Sequence, residues 1–195
     1  MSNIIYYALD TETTGLDSKQ HEVTQISLVR CSDRHQLDKY IKAEHPERAS
    51  AQALQITIRT KADLFKGESR LAVVEFCEKF IEEDGQTPEH RCMIAHNASF
   101  DKRFVHALWQ SVNKTFPAHL WLCTKEFTRS YTIKHGIANP KLNLRASLEI
   151  VNAKAKFGEH NALVDTQNAY ILWKKLMDDG VDHLPHIKRS PHILE

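Results

Sequence analysis

Ile4-Ile5-Tyr6-Tyr7-Ala8-Leu9-Asp10-Thr11-Glu12-Thr13-Thr14-Gly15 sets an apolar run directly against an acidic, threonine-rich segment. The run Ile4–Leu9 predicts a buried strand that stops at Asp10. In extended chain, side chains two apart share a face, so Asp10 and Glu12 project together at the strand's end. Two carboxylates in a partly dry site repel each other and are costly when ionised unless a cation sits between them. Hard divalent ions, Mg²⁺ or Mn²⁺, are the matching partners because they favour carboxylate oxygen. The same residues also suit a strand running out into a solvated Asp/Thr/Gly turn.

Two later acids favour the first reading, because each lies on the apolar face of a helix. Over Ser99 to Val112, Phe104, Val105, Leu108 and Val112 lie three, four, seven and eleven residues beyond Asp101. Asp101 therefore shares the apolar stripe. Over Asn161 to Met177, Ala169, Leu172 and Leu176 stand four, seven and eleven residues beyond Asp165 in the same way. An acid in a first helical turn complements the N-terminal dipole, and Ser99 and Asn161 are candidate N-caps. Capping alone gives an acid no reason to prefer the core-facing side. Asp10, Glu12, Asp101 and Asp165 are thus expected to meet at one buried point.

His160 stands five residues before Asp165, about 140° around an ideal helix. The two face the same way only if Gly158 to His160 is the loop entering that helix. From such a rim an imidazole, ordinarily titrating near ~6.5, can take a proton from water. The chain has 12 histidines, so position rather than residue type singles this one out.

Taken together, Asp10-Thr11-Glu12-Thr13-Thr14-Gly15-Leu16, His96-Asn97-Ala98-Ser99-Phe100-Asp101, and His160 with Asp165 five later resemble the DEDD superfamily of 3′–5′ exonucleases. The histidine spacing is similar to the DEDDh (DnaQ-like) branch, since the tyrosine branch would place Tyr where Asn161 stands. The motifs appear in the family's order over residues 10 to 165. Ala53-Leu54-Gln55-Ile56-Thr57 is a weaker echo, lacking the family's usual glycine and followed by Ile58-Arg59. The resemblance implies the ribonuclease H-like fold and two Mg²⁺ ions, ~3.5–4 Å apart, held by Asp10, Glu12, Asp101 and Asp165, with Mn²⁺ able to substitute. His160 would be the general base. Thr11, Thr13, Leu16, Asn97 and Phe100 would contact substrate: the Thr13–Leu16 turn against the terminal nucleotide with Leu16 as a wedge, Asn97 and Phe100 flanking the scissile region, Phe100 equally as core. Single-stranded or frayed DNA is the favoured substrate, an RNA 3′-processing enzyme or a polymerase proofreading subunit being the alternatives. Discrimination rests on how a 2′-hydroxyl is met, which no residue here announces.

At 195 residues and 42% hydrophobic content, one sizeable core and a single domain are expected. The DEDDh exonuclease domain is placed over 1–178 and a C-terminal tail over 179–195, too short for an extended polymerase-binding segment, which favours a free-standing enzyme. No run approaches the ~18 apolar residues of a membrane span, and no secretory pattern precedes the first strand. Cys31, Cys77, Cys92 and Cys123 show no metal-site spacing, so reduced thiols and a cytoplasmic setting are expected. Strands at Ile4–Leu9, Val23–Cys31 and Leu37–Lys42 suggest an antiparallel meander. Helices are predicted at Arg48–Leu54 and Leu71–Glu83. Strands at Cys92–Ala95 and Leu120–Cys123 then alternate with helices at Lys125–Ile133 and Leu144–Val151. The class is α/β, a mixed central sheet flanked by helices.

The net charge of +1 excludes a generally basic nucleic-acid binder. Its distribution is uneven: residues 102 to 156 carry ten Lys and Arg against Glu126 and Glu149 alone. That stretch suits a phosphate-guiding surface beside an acidic pocket, or a plain solvated face.

Overall fold

The computed structural model describes residues 4–158 and 160–190. Three strands open the chain: β1 (Ile5–Thr13), β2 (Val23–Arg30) and β3 (Gln36–Tyr40). They form the antiparallel meander expected from their short polar connections. After a short helix α1 (Ala51–Ile56) and a longer α2 (Arg70–Glu82) comes β4 (Arg91–Ala95), which pairs parallel to β1. Helix α3 (Ser99–Gln110) leads to β5 (Leu120–Cys123), parallel to β4, and then to α4 (Thr124–Lys134), α5 (Leu144–Ile150) and α6 (Ala162–Asp178). Among the described residues the sheet has six strands in the order β3-β2-β1-β4-β5-β6.

The last of these, β6 (Ile187–Arg189), runs antiparallel to β5. Residues 179–190 of the expected tail therefore return to the sheet edge, and 191–195 lie outside the described residues. Polar Lys188 and Arg189 alternate poorly with apolar positions, so the strand carries no period of its own; pairing with β5 makes it. Two further differences, and one agreement, have local causes. Ser50 accepts the Ala53 N–H and starts α1 there, so the helix expected over Arg48–Leu54 splits into a 3₁₀ turn at Pro46–Arg48 and α1. Asn161 does cap α6, accepting from the Leu163 and Val164 N–H groups. Ser99 does not cap α3: Ala98 holds that position and offers no side-chain acceptor.

One apolar layer lies on each face. Tyr7, Leu9 and Leu28 pack with α2 and α3 through Val74, Phe104 and Trp109. Cys92, Ile94 and Leu122 pack with α4 to α6 through Phe127, Leu148 and Leu172. A buried pair, Arg91 with Asp84 at 2.7 Å, closes the far end of β4, with the Tyr7 hydroxyl also donating to Asp84. Among the described residues no helix is long and apolar enough to cross a membrane.

The decisive detail is where β1 loses a neighbour. It stays paired with β2 out to Thr13, so it runs four residues past the stop expected at Leu9. Its pairing with β4 ends at Ala8↔Ile94. Beyond that point one edge of β1 is free, beside the carboxyl ends of two parallel strands, where ligands of open α/β sheets bind.

Candidate active site

Alternation along β1 sends Asp10 and Glu12 to the face of Tyr6 and Ala8, toward α6. Helix α6 packs across β1 and β2 and delivers Asp165 from its first turn. Oxygens of Asp10, Glu12 and Asp165 lie within 4.8 Å of one another, and all three residues are half-buried. Asp101 comes from the other face. It is 3% exposed, and its Oδ1 accepts from the Thr11 backbone N–H at 3.1 Å and the Thr11 hydroxyl at 2.9 Å. That N–H is on the β1 edge that β4 leaves open. Three acids therefore meet tightly, and the fourth reaches them around the strand rather than from the same side.

Their charges are mutually unfavourable. Burial above all, then Asp101, Asp165 and Glu12, hold the Asp10 carboxyl well above the usual carboxylate range. Glu12 is pushed up to about 7 by burial and by Asp165 and Asp101, with Arg59 opposing. Asp101 is pushed up to about 7 by burial, against which its hydrogen bonds from Thr11 act. A pocket of oxygen donors that resists losing its protons is a pocket lacking positive charge, and a hard divalent cation supplies it. The donor set fits such an ion. A second group, Glu22, Glu44 and His45, does not need one, because Arg70 bridges Glu22 and Glu44.

His160 sits in the loop before Asn161 with left-handed backbone, φ 62°, and is exposed. Its backbone N–H donates to Asp165 Oδ2 at 3.1 Å, which ties the loop to the carboxylates. With Asp10 and Asp165 it lines a cavity of about 330 Å³. A smaller cavity of about 140 Å³ opens on the other side of Glu12, lined by Thr13, Leu16, Ile56 and Phe100 among others. Leu16 is 73% exposed at its mouth. Phe100 is half-buried and tilted on Phe104 at 4.8 Å, so it is both wall and core.

The remaining expected contacts divide. Thr11 borders the smaller cavity, but its hydroxyl is committed to Asp101. Thr13 turns its hydroxyl to the Gly15 carbonyl at 2.7 Å, bracing the turn that carries Leu16. A Cβ on Gly15 would lie 2.3 Å from the His21 ring, which would have to move aside. Asn97, in left-handed backbone, lines a different cavity with Trp121 and Lys188. His96, part of the second motif, proves structural. Its Nε2 donates to the Leu142 carbonyl at 2.9 Å and its Nδ1 meets the Thr124 hydroxyl at 3.0 Å. Burial pushes it down to about 4, so it stays neutral and pins the segment entering α5. Its place in the cavity of His160 depends on Leu142, 46 residues away, which no local pattern announces.

Thr11 yields the first expected result. Thr11→Val keeps the backbone donor and the β-branched shape while deleting one hydrogen bond to a charged group, of order 1.5–3 kcal/mol. A kcat lowered about tenfold with KM unchanged, and recovery in Thr11→Ser, is expected in steady-state kinetics. Equal kinetics for Thr11→Val would show that the hydroxyl does not hold Asp101.

A mixed sheet that gathers four acids at the ends of parallel strands, with a histidine on the rim, defines a metal-dependent phosphodiester nuclease. The chain belongs to the exonuclease family RNase_T, whose match spans residues 7–173, and its motif set is of the DEDDh type. Exonucleases of this family work with divalent metal ions. The PolC-type DNA polymerase III of Thermotoga petrophila is 30% identical over 202 residues, covering 99% of this chain and 14% of the polymerase. That of Listeria monocytogenes is 28% identical over 183 residues, covering 91% and 12%. The chain thus spans about one-seventh of the length of these relatives. Among solved structures, the nuclease domain of 3′hExo, a DEDDh family member bound to rAMP, matches with TM-score 0.71 and 14% identity, covering 97% of each chain. Cell-death related nuclease 4 matches with TM-score 0.75 and 13% identity, covering 92% of this chain and 65% of that one. Both likenesses are of fold.

Proposed function

We propose that this chain removes mononucleotides one at a time from the 3′ end of single-stranded or frayed DNA, using Mg²⁺, with Mn²⁺ able to substitute. The observation that carries the reading is the convergence of Asp10, Glu12 and Asp165 within 4.8 Å, with Asp101 near enough for its charge to act on Asp10 and Glu12. These four acids would hold two ions, which when bound acidify water and neutralise charge developing on the scissile phosphate. The protein's own part is positional. Thr11 holds Asp101, Asn161 caps the helix that presents Asp165, and His160 on the rim takes the attacking water's proton. The small cavity behind Leu16 has the apolar walls to receive a terminal base without reading it, through packing alone. DNA is favoured over RNA by the relatives, which are named as DNA polymerases and align with nearly the whole chain.

The test is one gel with 5′-labelled single-stranded DNA, duplex DNA and RNA, each with Mg²⁺, Mn²⁺ or EDTA. A ladder shortening from the 3′ end, fastest on single-stranded DNA and abolished by EDTA, is expected. Metal-independent cleavage or internal cuts would overturn the reading, and faster digestion of RNA would reverse the substrate preference. Leu16 supplies a second expected result. Leu16→Ala should raise KM on single-stranded 3′ ends about tenfold with little change in kcat, as the loss of part of a buried leucine's ~1.5–3 kcal/mol implies. Unchanged KM would remove Leu16 from the substrate's path.

A further inference from the structure

The side of α3 away from the carboxylates carries a cavity of about 290 Å³, closed by β5 and β6. Lys102 enters it from the first turn of α3 and Lys188 from β6. Neither lysine has a carboxylate within ion-pair distance among the described residues, whereas many other cations of the chain do. Glu126 lines the cavity too, but it is paired with Arg129 at 3.5 Å. Strand register supplies a third element. Trp121 lies directly across from Lys188 in the β5–β6 pair, and directly paired residues project to one face. Trp121 is 3% exposed and lines the same cavity, and its buried indole N–H has no hydrogen-bond partner among the described residues. A buried donor of this kind ordinarily has an acceptor. Helix α3 begins here with Ala98 as its N-cap, which offers no side-chain acceptor.

Two lysines and an unused indole donor are complementary to a phosphate. We propose that this cavity binds a backbone phosphate of the nucleic acid away from the scissile bond, with Lys102 and Lys188 supplying charge and Trp121 a neutral hydrogen bond. The inference rests on the exonuclease reading above and adds to it a second anchor, next to Asp101 in sequence but separate from the terminal-base cavity. Such an anchor makes polynucleotide ends bind better than isolated nucleotides. It also accounts for the separation of Asn97 from Leu16 and Phe100: Asn97 belongs to this anchor.

The experiment uses the full chain and two probes. The first is a fluorescent single-stranded DNA decamer with phosphorothioate linkages at its 3′ end, titrated by anisotropy in Mg²⁺ over a salt series. The second is hydrolysis of the p-nitrophenyl ester of thymidine 5′-monophosphate, which has no second phosphate to anchor. Each phosphate contact on a single strand contributes about −0.7 to the slope of log affinity against log salt, or about fivefold in affinity at 0.1 M salt. Lys102→Gln and Lys188→Gln should each weaken decamer binding about fivefold and flatten the slope by about 0.7, leaving kcat and KM for the ester within twofold. Trp121→Phe keeps the ring and should weaken binding about threefold with the slope unchanged. Decamer affinity and slope unaltered in both lysine variants would overturn the proposal. Ester hydrolysis falling in step with binding would also overturn it, by making the effect structural. Inorganic phosphate bound by the wild type in calorimetry and lost in the lysine variants, with decamer binding intact, would reassign the cavity to free phosphate. A wild type that binds the decamer but hydrolyses neither DNA nor the ester would refute the exonuclease reading instead, and the salt slopes would still decide the anchor.

Discussion

Asp10→Asn will cut exonuclease rate by at least about 10³-fold and, in the absence of metal, will make the protein more stable. Both effects follow from the same crowding. Carboxyls in an unfolded chain titrate near 4. In the metal-free fold Glu12 and Asp101 are pushed up to about 7, and Asp10 is raised well above its ordinary value. Between those limits the folded state keeps protons that the unfolded state releases, so stability falls as pH rises through that interval. The contribution of the site is most favourable below pH ~4 and is lost as pH passes about 7. In EDTA the difference in melting temperature between Asp10→Asn and wild type should therefore widen from pH 5 to pH 8. Each tenfold change in proton affinity relieved at the site is worth ~1.4 kcal/mol, or about 3–6 °C for a chain of this size. Taking the variant against wild type cancels the titration of groups elsewhere, such as Asp84 held low by its bond from Arg91. Mg²⁺ should raise the wild-type melting temperature more at pH 8 than at pH 6 and should lose most of this effect in the variant. Scanning calorimetry at the two pH values, with and without metal, decides it. A metal-free variant less stable than wild type at pH 8 would mean that the acids are not crowded against one another.

Loss of the His160 side chain should be nearly as costly to rate and cost nothing in metal affinity. General-base catalysis contributes about 10²–10⁴-fold, and that is the expected fall in kcat for His160→Ala. The bond from this residue to Asp165 comes from the backbone N–H, so the substitution leaves it in place. The left-handed φ of 62° is harder for alanine than for asparagine, and His160→Asn separates the two effects. Both variants should lose rate alike if the imidazole is the base, whereas only the alanine should suffer if loop shape is what counts. Mn²⁺ affinity by calorimetry should match wild type in each, and raising pH should restore part of the rate as hydroxide replaces the missing base. Affinity falling together with rate would make His160 a ligand.

These two residues differ in how openly the sequence displays their roles. Asp10 and Glu12 are visible because strand alternation has period two, and Asp101 and Asp165 because an acid on an apolar helical stripe has no other business there. Asp101 and the half-buried Asp165 do lie inward, and Asn161 does cap α6, as their local patterns imply. His160 is legible only through its spacing to Asp165 within a recognised motif set. Its left-handed backbone and its tether to Asp165 are properties of the folded loop. The weak motif within α1 gives no hint that Ile56 would wall the small cavity or that Arg59, just beyond it, would stack over Tyr40, at 5.1 Å, within electrostatic range of Glu12.

By itself, then, the sequence determined the α/β class, the positions of most strands and helices, and which acids face inward. Side-chain periodicity is local, and burial of one face follows from it. Tertiary structure alone decided that β1 continues to Thr13, because β2 keeps pairing with it after β4 has left. It decided that Asp101 comes around the freed edge to accept from Thr11, and that residues 187–189 return as a strand beside β5. It also decided that Asn97 and Phe100, three residues apart, open into different cavities. Each of these depends on which distant backbone group lies opposite, and hydrogen-bond register between strands is set by packing across the whole sheet rather than by any short run of residues.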